Sequence, residues 1–323
     1  MKRALTPLLL AAILVGPNCA SVVREAKQGF FFIGSEISRS EIRMTLDRAF
    51  VDRYKDRATI EVTFTVDRAG RSAHPSYLDG DLHVAGRAAE IGLPIVAEVE
   101  NARSQKGAVE AVHRAAESGE PVQLTGVWRL WSEHVGSGEQ TQGESLNRIE
   151  RTNPPHVFEV HPVTRIDGLD LSGTFVPVNG FQPEPATVVF GSLKTARCRI
   201  TKDDRALTIF TRRREYNDAD FVMTLLDFPP QIVSDGRFVR ASVSTPKGGL
   251  LAEDVRMVFV RGTPPEERVK ALKPGDRMRV FGIPRIDLSQ IASRLDRASE
   301  DPGGLNGSLP YEIVVVGVLG ATP

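Results

Sequence analysis

Three short segments carry ionisable residues at a spacing of two: Asp81 and His83 in Asp79-Gly80-Asp81-Leu82-His83, Glu98 and Glu100 in Glu98-Val99-Glu100, and Glu159 and His161 in Glu159-Val160-His161. In an extended chain, residues i and i+2 point to the same face. Each pair therefore puts two polar groups on one side of a strand, alternating with apolar Leu82, Val99 or Val160. Two imidazoles with two or three carboxylates can bind Zn²⁺ or Mn²⁺, or can work as an acid/base pair. Asp81, His83, Glu98, Glu159 and His161 form the candidate catalytic set, with His83, His161 and Glu98 as the candidate ligands of a divalent metal. Against this stands the plain alternative that these strands show polar residues to water.

The distribution of histidine sharpens the point. His74, His83, His113, His134, His156 and His161 are the only histidines, and none follows residue 161. Trp128 and Trp131 also lie in the first half. His134, in Trp131-Ser132-Glu133-His134 before a Gly/Ser/Gln loop, is a weaker member of the set, while His113 on a helix and His74 and His156 in turns read as solvated. A second feature is basic. Lys194, Arg197, Arg199, Lys202, Arg205, Arg212, Arg213 and Arg214 are opposed only by Asp203 and Asp204, over two expected strands. Barrels that bind extended polyanions use such a face, so Arg212, Arg213 and Arg214 are candidate anion ligands. Glu215, Asp218 and Asp220 follow directly, which is also the pattern of a solvated face with local ion pairs. There is no Gly-rich phosphate loop, Cys-x-x-Cys pair or Gly-x-Ser-x-Gly elbow, so a nucleotide kinase, zinc ribbon or α/β-hydrolase is not expected.

The elements that must position these residues are mostly strands. Ile60, Val62, Phe64 and Val66 alternate with Glu61, Thr63 and Thr65, the pattern of a strand wet on one side. Further strands fit 81–85, 94–100, 122–131 and 157–163, with one short helix over 107–116. Ser38-Arg39-Ser40-Glu41 has the form of a capping box, and Ile42, Leu46, Ala49 and Phe50 follow at helical spacing up to about Tyr54, so a helix is expected there. The second half repeats this order. The segment from Gly119 to Leu130 lines up with that from Gly275 to Ile286, keeping Gly126 against Gly282 and Arg129 against Arg285, and each follows a helical stretch. Two looser pairings set the segment 155–161 beside 309–315, with Val314 read against His161, and 95–100 position by position against 239–244, placing Ser242 and Ser244 opposite Glu98 and Glu100. About five strands with a helix before the fourth is the order of a small Greek-key barrel. The expected architecture is mostly β: tandem duplicated OB-like barrels over 57–168 and 186–320, a linker over 169–185, and an N-terminal helical segment over 21–56.

Composition fits such a protein. The chain has 323 residues, with 41 basic against 41 acidic and 41% hydrophobic, which excludes disordered, collagen-like and multi-span helical membrane chains. The zero net charge also disfavours, without excluding, a generic nucleic-acid binder. Lys2 and Arg3 precede the apolar run Leu8 to Val15, then Gly16-Pro17 and the small residues Cys19, Ala20 and Ser21. That is the order of a secretory signal over residues 1–20, so the protein is expected in the periplasm or outside the cell, or acylated at Cys19 as a lipoprotein. Cleavage after Ala20 leaves Cys198 as the one cysteine, which reads as a small buried hydrophobe.

Asp79-Gly-Asp-Leu-His, Ile95-Val-Ala-Glu, Gly126-Val-Trp-Arg-Leu-Trp-Ser-Glu-His and Phe158-Glu-Val-His-Pro-Val together resemble a group of largely uncharacterised exported bacterial OB-fold-like proteins with Asp-x-His and Glu-x-His-Pro strands. The likeness covers residues of about 75–166 and implies that Asp81, His83, Glu98, Glu159 and His161 form one site; it implies no particular reaction. Two functions stay open: an exported binding protein with a His/carboxylate cleft for an envelope ligand or polymer, and a metal-dependent hydrolase of phosphodiesterase type using the same cleft, with Glu98 or Glu159 as base.

Overall fold

The structure, a computed structural model, describes residues 41–136, 138–297 and 305–320. The expected signal sequence, Cys19 and most of the capping box lie outside the described residues. In chain order the elements are β1 (Ile42–Asp47), α1 (Arg48–Tyr54), β2 (Thr59–Ala69), β3 (Leu82–Arg87), β4 (Ile95–Val99), α2 (Lys106–Ser118), β5 (Val122–Leu130), β6 (Glu139–Thr141), β7 (Phe158–Ile166) and β8 (Leu169–Asp170). Then come β9 (Glu184–Pro185), α3 (Ala186–Thr195), β10 (Arg197–Lys202), β11 (Ala206–Thr211), β12 (Ala219–Leu225), β13 (Gln231–Val233) and β14 (Gly236–Ser244). The last are β15 (Leu250–Val260), α4 (Pro264–Val269), β16 (Arg277–Ile286), α5 (Leu288–Arg297), β17 (Leu305–Ser308) and β18 (Tyr311–Val318).

Two closed five-stranded barrels follow one another. In the first, β2 pairs antiparallel with β3 and β5, β3 with β4, β5 with β7, and β4 closes on β7 in parallel. In the second, β12, β14, β15, β16 and β18 repeat those five pairings in the same order. A helix precedes the fourth strand each time, α2 and α4. The inward residues of period-two strands fill each barrel: Ile60, Val62, Phe64, Val84, Ala97 and Val160 in one, Phe221, Met223, Val239, Met257, Val280 and Ile313 in the other, all buried. Burying each large apolar side chain is worth roughly 1.5–3 kcal/mol. The two equivalent glycines are required by close approach. A Cβ on Gly126 would overlap Val160 Cγ1, and one on Gly282 would overlap Ile313 Cγ2, at matched ladder irregularities of β5 and β16.

The ladder registers correct one of the looser alignments. Residues 95–100 belong to the third strand of the first barrel, whereas 239–244 lie on β14, the second strand of the second barrel, so β14 answers β3 and β15 answers β4. Arg129 faces Glu159 and Arg285 faces Glu312; Ala97 faces Val160 and Met257 faces Ile313. Counting along these registers, the counterparts of Asp81, His83, Glu98, Glu100 and His161 are Gly236, Phe238, Val258, Val260 and Val314. The earlier pairing failed because period-two patterns look alike in any register.

Two further expectations change. Ile42–Asp47 is a strand, and the helix begins only at Arg48. Ile42 and Leu46 fit both periods, but Ile42, Met44 and Leu46 are buried while Arg43 and Asp47 face out, and β11 supplies the whole hydrogen-bonding edge. A tertiary partner thus overrides the local capping signal. Residues 197–211 likewise do not start the second barrel; β10 and β11 join β1, β6 and β17 in a separate five-stranded sheet. Cys198 is buried there, and burial pushes its thiol pKa up. The segment 169–185 is packed: Phe175 is fully buried beside Phe238, Val258 and Val314, and Phe181 meets Phe281 edge-on at 5.6 Å.

Candidate functional site

The outward face of β3, β4 and β7 in the first barrel is covered. Asp81, Glu98, Glu100, Glu159 and His161 are 6% exposed or less, while His83 sits at the rim with its side chain 14% exposed. Strand alternation puts Val84, Ala97, Val99 and Val160 into the core and aims these polar groups the other way. All five residues expected as a site are brought together, joined by Glu100 from the same face of the chain as Glu98.

His161 is the centre. Its Nε2 lies 3.6 Å from Asp81 Oδ2 and 3.7 Å from Glu100 Oε1; its Nδ1 lies 3.4 Å from Glu98 Oε2 and 3.7 Å from Glu159 Oε2. None of these contacts is a well-formed hydrogen bond, and Asp81 Oδ1 and His161 Nδ1 have no hydrogen-bond partner. Asp81, Glu100 and His161 each offer a donor atom within 4.8 Å of the others, as do Glu98, Glu159 and His161. His83 takes part in neither group: its Nε2 faces Glu98 Oε1 at 3.5 Å, and its ring meets that of His74 at 4.5 Å. The donor set that closes on one point thus differs from the expected His83, His161 and Glu98.

The electrostatics follow from burial against mutual attraction. Burial would lower the pKa of His161, but Glu98, Asp81, Glu100 and Glu159 hold it well above its ordinary value. Burial also opposes protonated His83, yet neighbouring Glu98 raises it to about 9. Burial raises Asp81 and Glu100. Glu98 and Glu159 go the other way despite burial, Glu98 because of His161 and His83, and Glu159 because of Arg129. Arg129 is buried and holds Glu159 Oε2 at 2.5 Å through one nitrogen while its Nε donates to the Pro284 carbonyl at 3.0 Å.

Sequence reasoning missed three members. His156 is buried, with its Nδ1 at 2.7 Å from the Pro154 carbonyl and its Nε2 at 3.1 Å from Glu159 Oε1. Glu133 faces Arg129 at 3.6 Å and is pushed by burial to about 7. Asp218, on the connection from β11 to β12, is likewise raised by burial to about 7. His134 stacks on His156 at 5.0 Å and is lowered to about 4 by burial and by His156. A turn before a strand looked solvated in the sequence; only the long connection folding back over β7 buries it, pinned by His156 N–H to the His134 carbonyl and by Gln140 to Pro155 and Val157. His113, also expected to be solvated, instead makes a 2.7 Å hydrogen bond to the Gly70 carbonyl.

The basic stretch is dispersed. Lys194 is in the last turn of α3, Arg197, Arg199 and Lys202 are on β10, and Arg212–Arg214 lie past β11 rather than on a strand. Arg199 stacks on Phe210 at 3.6 Å, Lys202 donates to the Leu295 carbonyl and Arg214 approaches the Ser192 carbonyl. Among the described residues, no helix is long and apolar enough to cross a membrane.

No protein-family model matches the chain, and no curated protein does. Among solved structures, a murine DNA-binding protein bound with double-stranded DNA matches at 10% identity over 79% of this chain and 92% of that one, with a TM-score of 0.18. A score that low carries no argument about fold or function.

Proposed function

We propose that the protein is an exported binding protein whose first barrel holds a buried divalent cation at Asp81, Glu100 and His161 and takes up an envelope ligand at the rim of that cluster, where His83 is part-exposed. The observation that carries this reading is the convergence of two buried carboxylates, Asp81 and Glu100, on His161 Nε2, with Asp81 Oδ1 left without a hydrogen bond. Buried carboxylates cost stability unless compensated, so gathering four around one imidazole makes sense when a cation offsets the burial that raises Asp81 and Glu100. On the other ring nitrogen, Glu98 stands where a carboxylate orients a metal-bound imidazole. Two carboxylates and one imidazole favour Mn²⁺ over softer ions. The site lies on the barrel face that OB folds use for oligomeric ligands. Export is supported by the charge, apolar run and small-residue order of residues 1–21, and the Asp-x-His and Glu-x-His-Pro strands support kinship with exported OB-fold-like proteins. Nucleic acid is a less favoured ligand, since carboxylates dominate the face.

Hydrolysis is the second reading, favoured by Glu133: a carboxyl near 7 beside the cluster is tuned for a general base. Titrating Mn²⁺ into the full chain, stripped of metal and then followed by calorimetry, tests the binding step. One saturable site lost in the Asp81→Asn, Glu100→Gln double variant is expected. Binding that survives this variant, or none in the wild type, overturns the proposal.

A further inference from the structure

A different set of side chains lies across Glu159 from His161, on the connection between β5 and β7. The Pro154 carbonyl can only accept a hydrogen bond, so the 2.7 Å contact fixes the His156 proton on Nδ1. The His156 Nε2 lone pair then points at Glu159 Oε1, 3.1 Å away. Two lone pairs cannot face one another in a buried site without something positive between them. That partner is either a proton or a cation. The third side chain decides between them: His134 stacks on His156 with ring centroids 5.0 Å apart, and it offers a nitrogen within 4.8 Å of both His156 and Glu159. A proton on His156 leaves this second imidazole as a stacking partner only, with its nitrogen unused. A metal ion takes it as a ligand.

We infer that His134, His156 and Glu159 form a second metal site, selective for Zn²⁺. Two imidazoles and one carboxylate are the donor set of zinc centres that keep a fourth position open, and a His whose other ring nitrogen donates to a backbone carbonyl is already oriented for ligation. The other Glu159 oxygen is held by Arg129, which fixes the carboxylate without occupying Oε1. The backbone supports the same geometry, since the His156 N–H donates to the His134 carbonyl at 3.0 Å and couples the two rings. This site shares no ligand with Asp81, Glu100 and His161 and stands independently of the function proposed for them.

The test is the stoichiometry of Zn²⁺ on the full chain, measured by competition with a chromogenic chelator. The wild type is expected to bind one high-affinity Zn²⁺ at this site and a second, weaker ion at Asp81, Glu100 and His161. The His134→Ala, His156→Ala double variant should lose only the tighter ion, with affinity reduced at least 100-fold. Asp81→Asn with Glu100→Gln should lose only the weaker one. Retention of the tight ion in the histidine variant overturns the inference while leaving the Asp81 site standing, and loss of tight Zn²⁺ in the Asp81 variant alone has the same meaning. Should the histidine variant fail to fold, Co²⁺ in the wild type reads the site directly. Intense visible bands of a four-coordinate ion with nitrogen ligands are expected, and a weak six-coordinate spectrum only overturns it.

Discussion

The two barrels share a fold and differ on one face. In the first, Asp81, Glu98, Glu100 and His161 form a buried polar cluster with His83 at its rim; in the second, the counterparts Phe238, Val258, Val260 and Val314 pack with Ala58, Val127 and Phe175 into an apolar one. Gly236 stands where Asp81 does, with Ala58 packed against its backbone. One ion pair is kept in both, Arg129 with Glu159 and Arg285 with Glu312, each at the equivalent ladder position. The two arginines also reach across to the other barrel in a reciprocal way: Arg129 donates to the Pro284 carbonyl and Arg285 to the Trp128 carbonyl. The conserved pair therefore belongs to how the barrels dock. What is not shared, the histidines and the extra carboxylates, is not needed to build or dock a barrel. The same position on the fold has become a plug in one copy and a candidate cation site in the other.

The largest effect comes from forcing the second barrel to resemble the first. Val258→Glu buries a carboxylate among Phe175, Phe238 and Val314 with nothing to pair it, and should cost about 3–5 kcal/mol. Thermal unfolding would show a large fall in Tm; a near-neutral result would mean that this face is not dry. Next in size are the glycines. Gly126→Ala and Gly282→Ala should each destabilise by about 1–3 kcal/mol through overpacking, Gly126→Ala the more, because Val160 and Ile313 crowd the two alike while the backbone of Pro162 and Val163 closes in on Gly126 as well. An unchanged denaturant midpoint for either variant would break the equivalence of the bends.

The reverse exchange should cost little. Replacing Asp81, His83, Glu98, Glu100 and His161 together by their counterparts Gly, Phe, Val, Val and Val gives the first barrel its neighbour's residues and leaves none of these polar groups without its partner, so metal-free stability should change by about 1 kcal/mol or less while Mn²⁺ binding is lost. A collapse of folding in this variant would make the cluster structural. The smallest effect is on pH. His83, raised to about 9, contributes stability that is complete below its ordinary 6.5 and fades as pH rises through 9. Glu133 and Asp218, raised to about 7 from ordinary values of 4.5 and 3.8, keep protons in the folded chain that the unfolded chain has released, so they too lose stabilisation as pH rises. His134, lowered to about 4, works the other way only up to its ordinary 6.5, so the metal-free protein should show a Tm that falls from pH 6.5 to pH 9, and saturating Mn²⁺ should flatten the slope. A metal-free Tm that climbs over this range would contradict the directions assigned to these groups.

Much of this was legible in the residues. Period-two alternation marked the barrel strands, the constant offset of Gly126 and Gly282 marked the duplication, and the i, i+2 rule put Asp81, His83, Glu98, Glu159 and His161 on faces that do converge. What stayed hidden depends on long-range partners. Ile42–Asp47 fits a helix until β11 is there to pair with it. The sheet of β1, β6, β10, β11 and β17 draws on distant segments that no local pattern links. His156 reads as a turn residue until the connection between β5 and β7 folds over Glu159, and Glu100 was visible by spacing but only its approach to His161 shows that it outranks His83 as a donor.

The central claim is that the polar face of the first barrel is a cation site and its counterpart in the second is not. Anomalous diffraction from crystals of the full chain equilibrated with Mn²⁺ tests this most directly. An anomalous peak is expected between Asp81, Glu100 and His161, at about 2.0–2.3 Å from their donor atoms, and none beside Phe238 and Val258. A first barrel without a peak, with His161 bonded only to its carboxylate neighbours, would contradict it.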